Sequence, residues 1–446
     1  MRFKRFSGAL AATLLSLATA AHTAPLTAGA GRADIQIPAS VFPIDGFVGV
    51  HDPLAVRVLL LDDGKQGLGV VVVDQTSIST DSITAMKAIV SQITGVPADN
   101  IIVCASHGFS SPHVFPADHT PPEMKDQSSA LAQAISAAVH DAAIAAVADR
   151  QPARAGYAGG TSRVGINRDV PTSDGWWLGG NDSGFTDPNL GVLRIDGASG
   201  KPLAVLMDLG VQSSILDFSV DGQGRRMVSS DLAGAATRYV ESHYGDGAIS
   251  LFLVGAAADQ APILQANRHV VKADGSVTRS DVHDAGFAIV DLLGERLGQD
   301  AVATGDGIKT TDISELQVIR RTVSVTSQTG TTVGPPPTGP AKSVAFLPSG
   351  PVDVPVVLIR IGDTVIVGLR EELSASTGAW IRTHSPFAHT LVVTMVDGAA
   401  KYMPAADAYD RVTYEARSSR YAKGSAETVA TAVVDMLGQM PGAHHP

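Results

Sequence analysis

The run Ile101-Ile102-Val103-Cys104-Ala105, continuing directly into Ser106-His107-Gly108-Phe109-Ser110-Ser111-Pro112-His113, sets the reading of the whole chain. Five successive apolar residues make a strand buried on both faces, because a half-exposed strand would alternate. On either side lie residues 82–94 and 128–148, where apolar side chains recur at three- and four-residue spacing, as on an amphipathic helix. Helix, buried strand and helix in succession predict an α/β fold. Residues 55–61, 69–73, 203–209 and 251–254 are further buried-strand runs, and 232–243 and 284–297 further helical ones. Asp62-Asp63-Gly64 and Asp196-Gly197 put turn chemistry between two strand-like runs. The expected architecture is α/β, with mixed, largely parallel sheets, flanking helices and a single large domain.

One stretch departs from this alternation. Gly334-Pro335-Pro336-Pro337-Thr338-Gly339-Pro340 lacks ladder donors and predicts a stiff extended surface loop. Strand-like runs at 315–326 and 356–369 flank it, so residues 328–350 are expected to be an insertion between neighbouring strands. A last strand at 390–395 and a helix at 427–440 close the pattern.

The first residues bear on compartment. Arg2, Lys4 and Arg5, a short apolar run from Ala9 to Leu17, and Ala18-Thr19-Ala20 have the order of a cleaved secretory leader, residues 1–20. That run is too short to span a bilayer, so a soluble exported protein, periplasmic or extracellular, is expected with no transmembrane segment. One cysteine among 446 residues excludes intramolecular disulfides, and 44% hydrophobic residues suffice for a large core. Cys104 ends an apolar run and is expected to be buried and inert. A net charge of −11 without a basic run argues against nucleic acid and favours small molecules or uncharged polymers as partners.

The common catalytic fingerprints, Gly-x-Ser-x-Gly, His-Glu-x-x-His and the phosphate-cradling loop, are absent. Attention therefore falls on the loop after residues 101–105, since ligands of open α/β sheets sit at the carboxyl ends of strands. His107 and His113 on that loop suit a metal ion through neutral imidazole nitrogens, or serve as hydrogen-bonding caps of the loop. Trp176 and Trp177, in a Gly- and Asp-rich stretch, suit an apolar or sugar-like ligand, or packing of that stretch onto the body.

A series of short motifs then occurs in order along the chain: Gly31-Arg32-Ala33-Asp34, His51-Asp52-Pro53-Leu54, Asn100-Ile101-Ile102-Val103 leading to Ser106-His107, Asn167-Arg168, and Asp187-Pro188-Asn189-Leu190-Gly191-Val192-Leu193-Arg194. Ser230-Asp231-Leu232-Ala233-Gly234, Gly255-Ala256-Ala257-Ala258-Asp259, Gly368-Leu369-Arg370-Glu371-Glu372-Leu373, Lys401-Tyr402-Met403-Pro404 and Tyr414-Glu415 follow. No single motif is specific, but their shared order resembles the neutral and alkaline ceramidase family over residues 25–446, its catalytic domain. The family's smaller immunoglobulin-like domain has no counterpart in these residues.

The resemblance implies one zinc ion, with His107, Glu372 and Tyr402 matching three of its four ligands, and Arg168 and Tyr414 matching residues that line the site. It also exposes two departures. Gln212 stands where the family has its second histidine, and Ala261, in Asp259-Gln260-Ala261-Pro262, where it has its serine nucleophile. An amide oxygen is a poor zinc ligand beside imidazole. With His113 as the replacement ligand, the expectation is zinc held by His107, His113, Glu372 and Tyr402, and an amidohydrolase cleaving an N-acyl bond with metal-activated water. Arg168 or Tyr414 would stabilise the oxyanion and Asp259 would orient a ligand or shuttle a proton. Each has a plainer use: Arg168 as partner of a nearby acid, Asp259 as a loop cap, Tyr414 as core. Glu371 is expected to be solvated. Hydrolysis of an ester or small peptide, and a binding protein without catalysis, are the alternatives.

Overall fold

The computed structural model describes residues 25–114, 120–245, 247–313, 315–329 and 336–443. The leader at 1–20, and Gly334 and Pro335 of the proline-rich stretch, lie outside the described residues.

Three sheets enclose one shared core. The first has the strand order Ile101–Ala105, Gly67–Val73, Ala55–Asp62, Thr27–Asp34, Gln151–Pro152; the second Ile249–Val254, Pro202–Leu209, Asn189–Asp196, Arg154–Thr161; the third Leu316–Thr329, Leu347–Ile361, Thr364–Leu369, His389–Val393. Their inner faces meet: Leu59 and Leu61, Leu206 and Leu251, Ile366 and Leu391 belong to one buried cluster. The alternate residues point outward into separate clusters under helices. Val58 and Leu60 pack beneath Thr80–Thr94 and Lys125–Ala148, Val205 and Phe252 beneath Asp231–Tyr244 and Ala285–Asp306, and Val365 and Val367 beneath Ala375–His384 and Ser425–Gly438. Period-two alternation with a core on both sides is why these strands read as uninterrupted apolar runs.

The architecture is α/β with mixed sheets and flanking helices, as expected, but the sheets are not largely parallel. Parallel pairing joins Gly67–Val73 to Ile101–Ala105, Pro202–Leu209 to Ile249–Val254 and Thr364–Leu369 to His389–Val393. The remaining pairs in these three sheets are antiparallel. Short connections explain this: the turns at Asp62-Asp63-Gly64 and Asp196-Gly197 close hairpins, and a hairpin can only pair antiparallel strands. The proline-rich stretch joins two antiparallel neighbours, Leu316–Thr329 and Leu347–Ile361.

The helical segment Pro122–Ala148 is the one described segment long and apolar enough to cross a membrane. Its Leu131, Ile135, Val139 and Ala142 are buried against the first sheet. Contact there is close enough to require glycine: a Cβ on Gly31 would stand 2.2 Å from Ala142 O and 2.5 Å from Ala146 N, both backbone atoms that cannot swing away. Gly31→Ala is therefore expected to cost about 2–3 kcal/mol in urea unfolding, the range of overpacked cores. Gly438→Ala, with no atom within 4 Å of the added carbon, should stay within about 0.5 kcal/mol of wild type. Equal unfolding midpoints for the two variants would refute this packing.

Candidate active site

The carboxyl ends of strands from all three sheets converge on one site. Ile101–Ala105 leads to His107, Pro202–Leu209 to Gln212, Ile249–Val254 to Asp259 and Thr364–Leu369 to Glu372. Two small pairings complete it. Glu372–Leu373 pairs in parallel with Tyr402–Met403, setting Glu372 beside Tyr402, and Gly165–Thr172 pairs with Gln260–Pro262, setting Arg168 next to Asp259 with Arg168 N–H donating to Asp259 O at 2.9 Å.

His107 adopts a left-handed backbone, φ 58°, unusual for a residue with a side chain and held here by its neighbours. Phe109 N–H donates to Ser213 O at 3.0 Å, and Thr76 Oγ1 donates to Gly108 O at 2.8 Å. The His107 ring is fixed at both nitrogens. Nδ1 lies 2.6 Å from Thr76 O and Nε2 3.2 Å from Glu372 Oε2. A carbonyl only accepts, so Nδ1 carries a proton.

From Glu372 a buried relay continues. Gln212 Nε2 donates to Glu372 Oε2 at 3.3 Å, and Gln212 Oε1 accepts from Arg168 Nη1 at 2.7 Å. Arg168 Nε and Nη2 lie 2.8 and 2.6 Å from Glu415 Oε1. The orientation of the Gln212 amide follows from this network, since a guanidinium can only donate. Glu372 Oε1 is bonded to none of these groups.

The charges are settled by the same contacts. Burial pushes the Glu372 carboxyl up, but His107 and then Arg168 outweigh it and hold it below the usual value. Burial opposes the charge on Arg168, yet Tyr402 and Glu415 keep it firmly protonated. Asp169, beside Glu415, is pushed well up by burial and then by that carboxylate. The Tyr402 hydroxyl is raised by burial, against the pull of Arg168.

Asp259 is also raised by burial, and its Oδ1 accepts from Ala375 N at 2.8 Å, capping the helix Ala375–His384 that follows Glu372. Tyr414 stands edge-on to Tyr402 and Trp177, with ring centroids 5.8 and 5.7 Å away. Arg168, Gln212, Tyr402, Tyr414, Trp177 and Ala261 all line a cavity of about 770 Å³.

His107, Glu372, Tyr402, Arg168, Tyr414 and Asp259 are thus brought together. His113 is not. Asp45 takes His113, accepting from its backbone N–H at 2.7 Å and lying 3.3 Å from its Nδ1. The replacement of the missing histidine by His113 is therefore corrected. Glu371 is also corrected: it is buried and accepts from Tyr421 Oη at 2.7 Å. Cys104 is buried, its thiol pushed up by burial, as expected. The sequence reading missed Glu415 and Thr76. Glu415 was within its reach, as an acid beside the matched Tyr414; Thr76 acts through its carbonyl and left no signal.

Among the described residues no three His, Cys, Asp or Glu side chains gather for a metal. The donor set nevertheless suits a cation at one point. With Nδ1 protonated, the lone pair on His107 Nε2 faces the Glu372 carboxylate, two acceptors that a proton or a metal ion between them would reconcile. Tyr402 gives a third donor, the number a catalytic zinc site needs. Gln212 turns its amino group inward and is no ligand in this arrangement.

Arg168 is the cation on which Glu415 depends. Arg168→Met should destabilise the protein by about 3–5 kcal/mol, because it strands a buried carboxylate. Adding Glu415→Gln should restore much of the loss in denaturant melts; simple additivity of the two losses would contradict the pairing.

No sequence family matches this chain, and no curated protein does. Solved structures do. The neutral ceramidase from Pseudomonas aeruginosa superposes with a TM-score of 0.72 at 19% identity, covering 93% of this chain and 74% of that one. A ceramidase complexed with C2 gives 0.70 at 18%, covering 93% and 75%. The chain has the fold of the neutral ceramidases, the family its ordered motifs resemble, in a divergent form.

Proposed function

We propose that this chain is an exported hydrolase of carboxamide bonds in N-acyl compounds. The observation that carries the reading is a cavity lined by a permanently charged Arg168 and two phenols, with a charged Glu372 joined to that wall through Gln212 and one of its oxygens unbonded among the described residues, on the ceramidase fold. Arg168 and Tyr414 are donors able to receive the oxygen of an acyl carbonyl as negative charge develops on it. Glu372 Oε1 would take the proton of the attacking water and hand it to the departing amine nitrogen, with Gln212 fixing the carboxylate through Oε2. Asp259 positions this carboxylate by capping the helix that follows it. Ala261 offers no nucleophile, so water attacks directly and no acyl-enzyme forms. His107, Glu372 and Tyr402 are the residues that would hold zinc. When bound, zinc would supply a Lewis acid for the carbonyl and for water. Export rests on the leader-like residues 1–20.

A second reading, binding without turnover, is favoured by Ala261 on the cavity wall and by Gln212 at the family's histidine position. Turnover of short N-acyl amines separates the two. Glu372→Gln should lower kcat/KM by at least about a hundredfold, the lower end of general-base effects, with the fold retained. Wild type should contain zinc by elemental analysis and lose activity on chelation, and His107→Ala should lower metal content. A short N-acyl amine should be cleaved faster than a long-chain ceramide, since the altered site would not hold the long amide in the same pose. Absence of turnover on every amide in a zinc-loaded sample would favour the binding reading; ceramide as the best substrate would favour the unaltered family activity.

A further inference from the structure

The cavity wall beyond the relay bears hydrogen-bonding groups that the described residues leave unused. Asp217, half-buried on the segment after Gln212, has a carboxylate with no hydrogen-bond partner among the described residues. Burial pushes it up to about 6, against the pull of Arg279 and Arg226. Gln265 donates through Nε2 to Ser214 O at 3.0 Å, which leaves Oε1 open. Arg279 uses Nε on Asn267 Oδ1 at 2.9 Å, and its terminal nitrogens have no bond among the described residues. Thr278, beside it on the strand Val277–Asp281, likewise keeps its hydroxyl free among them. All four residues line the cavity, together with Trp177 and the exposed ring of Phe218.

An alkyl chain laid over this wall would strip water from four polar groups and return no hydrogen bond to any of them, which is costly at each. A ring carrying several hydroxyls returns both donors and acceptors, and its apolar face suits an aromatic neighbour. Resting on the amide-hydrolase reading above, the geometry points to an N-acyl amino sugar as the substrate class: the acyl amide lies at Arg168 and Tyr414, and the ring hydroxyls meet Asp217, Gln265, Thr278 and Arg279.

Isothermal titration of the full chain with N-acetylglucosamine and with N-butylacetamide tests this. The sugar should bind at least about tenfold more tightly, the value of one or two recovered hydrogen bonds to charged groups. Asp217→Ala and Arg279→Ala should each bring that ratio toward one, and Thr278→Val, which keeps its strand pairing, should lower it as well. A ratio near one in wild type, or a ratio that none of the three substitutions changes, overturns the inference. The amidase reading fails separately: a sugar bound with these dependences but never deacylated contradicts it and leaves the recognition intact. Cleavage and tighter binding of N-butylacetamide would contradict the sugar alone.

Discussion

Arg168 is a buried cation that the protein keeps because Glu415 and Gln212 meet it on two sides and Tyr402 stands against it. Isolated, such a charge would be prohibitively unstable in the interior, so its partners must be brought to it by the fold. Those partners come from distant parts of the chain. Gln212 follows a strand of the second sheet, Glu415 lies on the short helix Tyr414–Ser418, and Glu372, one hydrogen bond further on, follows a strand of the third. His107, from the first sheet, closes the relay. The requirement to satisfy one guanidinium therefore fixes how the ends of three sheets approach each other, and with them the floor of the cavity.

This arrangement also accounts for what Gln212 can do. An imidazole at that position would offer one lone pair to a metal ion. The amide instead has a donor and an acceptor, and it uses both, bridging a carboxylate and a guanidinium that carry opposite charge. The substitution thus exchanges a ligand for a link. The relay is complete without a fourth ligand, while the face of His107 Nε2 towards Glu372 retains the demand for a cation, whether a proton or a metal ion.

Much of this was legible in the sequence because burial on two faces writes itself as continuous apolar runs. Residues 101–105 are the strand found, and 55–61, 203–209 and 251–254 extend by one or two residues into Ala55–Asp62, Pro202–Leu209 and Ile249–Val254. Strands Arg154–Thr161 and Gly175–Asn181 were not, since they are glycine-rich and only partly buried, nor was Gly165–Thr172, whose buried residues Asn167, Arg168 and Asp169 are polar. Strand direction was misjudged because an apolar run reports burial and not orientation; the two hairpin turns contained the missing information. At the site, motif order selected His107, Glu372, Tyr402 and Arg168, which the fold brings together. His113 was chosen for its nearness along the chain, and three-dimensional proximity overruled it: Asp45, far away in sequence, holds it.

We propose that an amide is cleaved here by water directed from Glu372, with no residue of the protein acylated on the way. Rapid-quench mass spectrometry of the zinc-loaded protein during turnover of a short N-acyl amine addresses that step. With direct attack by water, free acid accumulates from the first turnover while the protein keeps its unmodified mass. An acylated protein appearing before the acid, or no acid released from any amide, would contradict it.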